Sequence, residues 1–146
     1  MKQERLTADE LSAWRGFLQA HSQLTHQLDA ELRAEHDLPL TSYEVLLFLN
    51  DSPEGRLRMA ELADRVLLSR SGLTRLVDRL EKRGLVGREA CPADARGFFA
   101  AITDAGREAF GVARHTHLAG VRRLFLQRLS AAQRRDLAAA WETLLS

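Results

Sequence analysis

Residues three and four positions apart, most of them apolar, mark out helices along most of this chain. In the first segment this spacing is kept by Leu11, Trp14, Leu18, His21, Thr25, Leu28 and Leu32. The pattern predicts a long amphipathic helix. It begins at a capping box, Thr7 to Glu10, and ends before Pro39. A second capping box, Thr41 to Glu44, predicts a second helix that runs to about Asn50.

The middle of the chain predicts two helices in quick succession and then a hairpin. Residues 59–66 form a two-turn helix, and Ser69 is the N-cap of the next one. That helix carries an apolar stripe made of Leu73, Leu76, Val77 and Leu80. Gly84 ends it. Two short strands follow at 85–90 and 98–102, with a loop over residues 91–97.

Two helices complete the chain. Thr103 caps a long one that is expected to reach about Leu129, and Ser130 to Gln133 opens the last. The predicted fold is therefore mainly α with a small β-hairpin wing. Its order is helix, helix, helix-turn-helix, hairpin, helix, helix, which is the order of a winged helix-turn-helix within a helical scaffold.

In a helix-turn-helix the second helix enters the major groove of DNA, with its first residues facing base edges. On the predicted helix the outward positions begin with short hydroxyl side chains and continue with longer cations. The candidate DNA-binding residues are Ser69, Arg70, Ser71, Thr74, Arg75, Arg79 and Lys82. Hydroxyls approach bases closely, and arginine and lysine reach base edges and phosphates. The alternative is an ordinary solvated helix face, and this helix alone does not decide between the two.

Charge is distributed unevenly along the chain. The net charge is only +1, but residues 56–99 hold 10 basic and 6 acidic side chains, whereas residues 1–55 hold 4 and 10. Nine of the ten cations in the middle segment are arginine, which binds phosphate and guanine with two hydrogen bonds at once. The helix-turn-helix segment therefore carries a local basic footprint suited to nucleic acid.

Residues 56–106 resemble the MarR family of transcription regulators. The resemblance lies in Met59-x-Glu61-Leu62-Ala63, in the run from Ser69 to Val86, in Asp94-x-Arg96 and in Ile102-Thr103-Asp104-Ala105-Gly106. It implies a dimer formed by the first and the last two helices, and a wing whose Arg96 enters the minor groove. It also implies that a small ligand or oxidation releases the DNA. Asp94 is expected to orient an arginine; the alternative is an exposed turn aspartate.

We therefore expect a helical dimerisation region at 1–36 and 104–146 and a winged helix-turn-helix DNA-binding domain at 40–103. The expected function is that of a homodimeric transcription regulator, a repressor, on a palindromic operator in double-stranded DNA. The alternative is a winged-helix module for protein–protein assembly that does not bind DNA. No enzyme is expected, because phosphate-binding glycine loops, metalloprotease helices and nucleophile elbows are absent from the sequence.

A candidate effector site lies on the first helix. Its apolar stripe is interrupted by polar groups, and the residues concerned are Trp14, Arg15, Phe17, His21 and Thr25. Apolar walls with a few converging polar groups are typical of small-molecule pockets, and this set suits an aromatic carboxylate or a phenol. The alternative is that His21 lies in the dimer interface and Arg15 is a surface cation.

The remaining chemistry of the sequence is sparse. Cys91 is the single cysteine, so no internal disulfide forms, and a reducing, cytoplasmic compartment is expected. An oxidation-sensing role for Cys91 stands beside the simpler reading of an ordinary free thiol. His115 and His117 are two positions apart and point to opposite sides of a helix, so no metal site and no cofactor are predicted. No apolar run approaches the roughly 20 residues that span a membrane.

Overall fold

Six helices and three short strands follow one another in residues 5–93 and 97–146, the parts of the chain that the computed structural model describes. The helices are α1 (Ala8–His36), α2 (Leu40–Asn50), α3 (Met59–Val66), α4 (Arg70–Lys82), α5 (Asp104–Leu124) and α6 (Ala131–Leu145). The strands are β1 (Arg56–Arg58), β2 (Val86–Ala90) and β3 (Phe98–Ile102). The mainly α fold with a small β wing is confirmed. Within the described ranges, no helix is both long and apolar enough to cross a membrane.

The predicted start of α1 is confirmed in atomic detail. The Thr7 side chain accepts a hydrogen bond from the Glu10 amide at 3.2 Å, and the Glu10 carboxylate accepts one from the Thr7 amide at 2.8 Å. Ser130 and Gln133 form the same reciprocal box at the start of α6. Each box satisfies amides that the first turn of a helix leaves unpaired.

The predicted capping box of α2 is wrong. Helix α2 begins at Leu40, directly after Pro39, and has no side-chain cap. The Leu40 amide instead donates to Asp29 Oδ1 of α1 at 2.8 Å. Burial raises the pKa of Asp29, but this hydrogen bond and the neighbouring Arg33 together lower it by more, so the net shift is downward. A carboxylate of helix α1 therefore takes the place of the local cap that was expected on α2.

The wing is a three-stranded antiparallel sheet in the order β1-β3-β2. The two predicted strands are present, but the prediction missed β1, whose Leu57 pairs with Ala100 of β3. Helix α5 also ends at Leu124, before the predicted Leu129, and a short 3₁₀ turn at Leu126–Arg128 leads to α6. The extra strand joins the entrance of the helix-turn-helix to the wing.

The core lies between the winged helix-turn-helix and the parts of α1 and α5 that pack against it. Its fully buried members, with less than 2% of their surface exposed, are Leu32, Leu38, Val45, Leu46, Leu49, Leu62, Leu73, Leu76, Val77, Leu80 and Val86. Outside this core, α1 and α6 leave large apolar side chains in solvent, among them Trp14 and Leu145, which are 55% and 85% exposed. The outer helices thus carry apolar surface that this chain alone does not cover.

A tight joint connects this core to α5. The Thr103 amide donates to the Leu85 carbonyl at 3.1 Å, and the Thr103 hydroxyl donates to the Gly84 carbonyl at 2.6 Å. Gly106 lies in the first turn of α5, where a Cβ atom would come within 2.1 Å of the Leu85 oxygen. The turn that ends α4 is therefore in direct contact with the start of α5.

Candidate nucleic-acid interface

Helix α4 presents one buried face and one exposed face, as its stripe predicts. Leu73, Leu76, Val77 and Leu80 are each at most 2% exposed. The helix begins at Ser69, whose hydroxyl accepts from the Gly72 amide at 3.1 Å. Burial of the stripe fixes the rotation of the helix about its axis. The opposite face therefore has a defined direction.

Short polar side chains occupy the start of the exposed face. The hydroxyls of Ser69 and Ser71 lie 3.2 Å apart, and Thr74 donates to the Arg70 carbonyl at 2.8 Å. These contacts lie within one helical turn and leave the hydroxyl oxygens with lone pairs free to accept. Small groups with fixed positions are what a close approach to a base edge requires.

Four exposed cations lie on α4: Arg70 in its first turn, then Arg75, Arg79 and Lys82 on the outward face. All four are exposed, and none forms an ion pair with any residue in the described ranges. Their charges are therefore not neutralised by the rest of the described protein. They remain available to an anionic partner.

Arg88 of β2 is used differently. Its guanidinium is hydrogen-bonded to Asp78 and lies 3.6 Å from Glu81 Oε1, both on α4. This ion pair connects the wing to the exposed side of α4. Sequence reasoning did not find it, because the pair joins two elements whose relative position depends on the tertiary fold.

Two arginines on β1 flank the ring of Phe99. Arg56 is 4.7 Å from the ring centroid and forms ion pairs with Glu54 at 2.8 Å and Glu89 at 3.0 Å. The hydrogen bond to Glu89 raises the pKa of Arg56. Arg58 is 5.8 Å from the same ring and has no carboxylate partner among the described residues. The predicted set of DNA-binding residues did not include Arg58.

Two further predicted residues, Asp94 and Arg96, lie outside the described residues. Beyond the last pair of β2 and β3, the Cys91 amide donates to the Gly97 carbonyl at 3.2 Å, and Cys91 is buried. The antiparallel pairing of the two strands thus extends one residue past each strand.

Comparison with known proteins identifies the family. A sequence model of the MarR family matches residues 36–97. The chain is 36% identical to AbsC, a MarR family transcriptional regulator from Streptomyces coelicolor. The structural match between them has a TM-score of 0.90 and covers 98% of this chain and 96% of AbsC. The chain belongs to the MarR family.

Two further relatives extend the comparison of this MarR family chain. Sco3205 from Streptomyces coelicolor, a MarR family transcriptional regulator solved in complex with DNA, is 38% identical, with 98% and 90% of the two chains covered and a TM-score of 0.91. The regulator MhqR of Bacillus subtilis (strain 168) is 36% identical over 72 residues, 49% of this chain and 48% of that protein. The match thus spans about half the length of this curated relative. These homologues are transcriptional regulators, not enzymes.

The candidate effector residues of this MarR family chain form an aromatic cluster on α1. Phe17 lies 6.1 Å from Trp14, 6.3 Å from His21 and 5.7 Å from Trp141 of α6, measured between ring centroids. Trp14 and Phe17 are about half exposed. The Thr25 hydroxyl donates to the His21 carbonyl at 2.6 Å. In the single chain the cluster is an open surface rather than an enclosed pocket, and Arg15 lies exposed beside it.

Three titratable groups on α2 and α5 have shifted pKa values. Tyr43 packs between Phe110 at 5.3 Å and His117 at 4.6 Å, and burial raises the pKa of its phenol. Burial also raises the pKa of Glu44, against a smaller lowering by His21. The Nδ1 atom of His117 is buried without a hydrogen-bond partner, and burial lowers the pKa of this histidine. The residues in the described ranges form no cluster that could hold a metal ion.

Proposed function

We propose that this protein is a homodimeric repressor that binds a palindromic operator in duplex DNA and is released by a small ligand. The observation that carries the proposal is the exposed face of α4, with four cations that form no ion pair with the described protein. A helix so oriented, followed by a wing, is the DNA-reading unit of winged helix-turn-helix proteins. Sco3205, a relative that is 38% identical, was solved in complex with DNA, and this supports DNA binding by the present chain.

Each side chain on α4 has a proposed role that follows from its reach. Ser71 and Thr74, with short side chains, face the base edges, and Arg75 makes the base contact in the major groove. Arg79 and Lys82 lie nearer the end of the helix and contact phosphates. Ser69 and Arg70 lie at the helix start, where backbone amides also favour a phosphate. In the wing, Arg96 enters the minor groove and Asp94 orients it or a neighbouring arginine.

The dimer is proposed from the unfilled apolar surface of the outer helices. Regions 1–36 and 104–146 form the dimerisation region, and 40–103 form the DNA-binding domain. Trp14, Leu18 and Leu144 are 55%, 47% and 71% exposed in the single chain, more apolar surface than a stable monomer usually leaves in solvent. A two-fold partner covers these side chains and presents two copies of α4 to a palindromic site.

Ligand control is proposed for the aromatic cluster. Trp14, Arg15, Phe17, His21 and Thr25 supply aromatic walls, one cation and hydrogen-bonding groups, which suit an aromatic carboxylate or a phenol. The cluster lies on the outer helices, so a second copy of the chain would enclose it. A ligand that binds one spacing of the two α4 helices more tightly than the other shifts the dimer between DNA-bound and free forms.

Titration of two arginine variants tests DNA binding. Arg75→Ala is expected to cost about 1–3 kcal/mol on a preferred site and to relax base preference. Arg96→Ala is expected to weaken binding to preferred and random duplexes by the same factor. Arg33→Ala is the control, since this exposed α1 arginine forms an ion pair with Asp29 alone among the described residues and should bind as the wild type does. Wild-type affinity in both test variants would contradict the proposal, and so would wild-type protein without salt-dependent DNA binding, which would favour an assembly module.

A thermal-shift screen of aromatic acids and phenols tests ligand control. A compound that stabilises the protein and releases DNA should lose both effects in His21→Ala and in Arg15→Ala. Undiminished effects in both variants would move the effector site away from the aromatic cluster.

A further inference from the structure

A cleft of about 600 Å³ separates the start of α4 from the wing, and the end of β1 closes its third side. Its polar lining consists of Arg58, Arg70, Thr74, Asp78 and Arg88. The apolar side chains of Met59, Leu73 and Phe98 complete the walls. Phe98 is 49% exposed although it is a large aromatic residue. The cleft therefore combines guanidinium groups with an exposed apolar surface.

The charges in the cleft are not equivalent. Arg88 is neutralised by Asp78 and Glu81. Arg58 and Arg70 have no carboxylate partner among the described residues, and both are exposed. The cleft thus presents two available positive charges, one from β1 and one from the first turn of α4.

The position of the cleft determines what passes it when DNA is bound. In the proposed complex α4 lies in the major groove and the wing enters the adjacent minor groove. Adjacent grooves are separated by one sugar–phosphate strand, so that strand must run between α4 and the wing. The cleft lies between these two elements, and its charged and apolar walls match a phosphate and its deoxyribose.

We infer that this cleft seats the DNA backbone strand between the two grooves, and that Arg58 and Arg70 both contact its phosphates. The inference rests on the proposed DNA binding and adds β1 to the interface. The guanidinium of Arg58 lies 5.8 Å from the Phe99 ring, which limits the directions that this side chain takes. A phosphate contact from β1 positions the protein on the duplex and carries no base preference.

The same strand supplies a matched control. Arg56 lies two positions before Arg58 and also packs over Phe99, but Glu54 and Glu89 neutralise its charge. Arg56 is also absent from the lining of the cleft. Changing Arg56 removes the same side chain from the same strand without removing a proposed phosphate contact.

The test is the salt dependence of binding to one duplex by wild type, Arg58→Gln, Arg56→Gln and Arg58→Lys. Glutamine keeps part of the side chain over Phe99 and removes the charge. Each lost phosphate contact makes the negative slope of log K, the association constant, against log salt shallower by about 0.9. Arg58→Gln removes two contacts from a dimer, so its slope should be shallower by about 1.8. Its affinity should fall on the order of 60-fold near 0.1 M salt, equally on preferred and random sequences. Arg56→Gln should keep the wild-type slope, and Arg58→Lys should restore most of it.

The outcomes separate this inference from the proposed function. A steep wild-type slope that Arg58→Gln leaves unchanged would overturn the contact at β1 and leave DNA binding through α4 standing. A change in base preference in Arg58→Gln, or an equal loss of slope in Arg56→Gln, would also overturn it. Wild-type protein without salt-dependent binding would overturn the proposed function itself. Equal thermal unfolding midpoints for both glutamine variants would show that the comparison is not affected by folding.

Discussion

The contact between the start of α5 and the turn that ends α4 gives a sharp test of how closely these two helices pack. Gly106 lies in the first turn of α5, against the turn that ends α4. In Gly106→Ala the added methyl would lie 2.1 Å from the Leu85 oxygen and 2.8 Å from Ile102 Cγ1. The first of these atoms belongs to the backbone and is not free to rotate away. We expect the first turn of α5 to be displaced from its position on α4.

Opposing terms set the size of the effect. Alanine stabilises a helix by about 1 kcal/mol relative to glycine. Moving α5 away weakens the hydrogen bond from the Thr103 amide to the Leu85 carbonyl, now 3.1 Å long, which is worth about 1 kcal/mol. Overpacking at a close contact costs about 1–3 kcal/mol more. Gly106→Ala should therefore lower the free energy of unfolding by about 1–3 kcal/mol.

Urea denaturation at a fixed protomer concentration measures this change, since the stability of a dimer depends on concentration. Gly111→Ala, in the same helix, is the control because its added methyl meets nothing within 4 Å in this chain. It should stabilise the protein by about 0.5–1 kcal/mol. If Gly106→Ala proves as stable as the wild type or more stable, the close contact between α5 and Leu85 is not present.

Three smaller effects are expected elsewhere. Leu67→Gly should stabilise the protein by about 0.5–1 kcal/mol in thermal unfolding, because Leu67 has φ +56° and is 90% exposed; a loss of stability would refute this. Ser69→Ala should cost about 1 kcal/mol by removing the N-cap bond to the Gly72 amide, and an unchanged unfolding midpoint would contradict it. Burial holds the pKa of His117 below its ordinary 6.5, so its neutral form stabilises the fold above pH 6.5 and that stability is lost as the pH falls from there toward the folded-state pKa. His117→Gln should flatten this decline and exposed His115→Gln should not; parallel pH profiles for all three proteins would rule out the role of His117.

Elements defined by local contacts were predictable from the sequence. The stripe of α4 consists of four apolar residues at helical spacing, and the N-cap Ser69 bonds to an amide only three residues later. Both features were therefore visible in the sequence, and both are confirmed. The boxes at Thr7 and Ser130 are equally local. For the same reason the outward face of α4 could be assigned residue by residue before its surroundings were known.

Features that depend on distant partners were not predictable. Strand β1 has only three residues, too few for a recognisable alternation, and it forms because β3, some 40 residues later, pairs with it. The start of α2 is set by Asp29 of α1, which replaces the local cap expected at Thr41. The difference between Arg56 and Arg58 follows from Glu54 and Glu89, and no sequence spacing reveals which arginine is neutralised.

Selection from a pool of random duplexes tests the central claim, sequence-specific DNA binding through α4, most directly. The pool is incubated with purified protein at moderate salt, and bound molecules are recovered, amplified and sequenced over several rounds. We expect enrichment of a two-fold symmetric sequence whose half-site centres lie about 10 base pairs, or a multiple of that, apart. Arg75→Ala should enrich a sequence with relaxed preference at matching positions in both half-sites. A wild-type pool that shows no enrichment after repeated rounds would contradict the account.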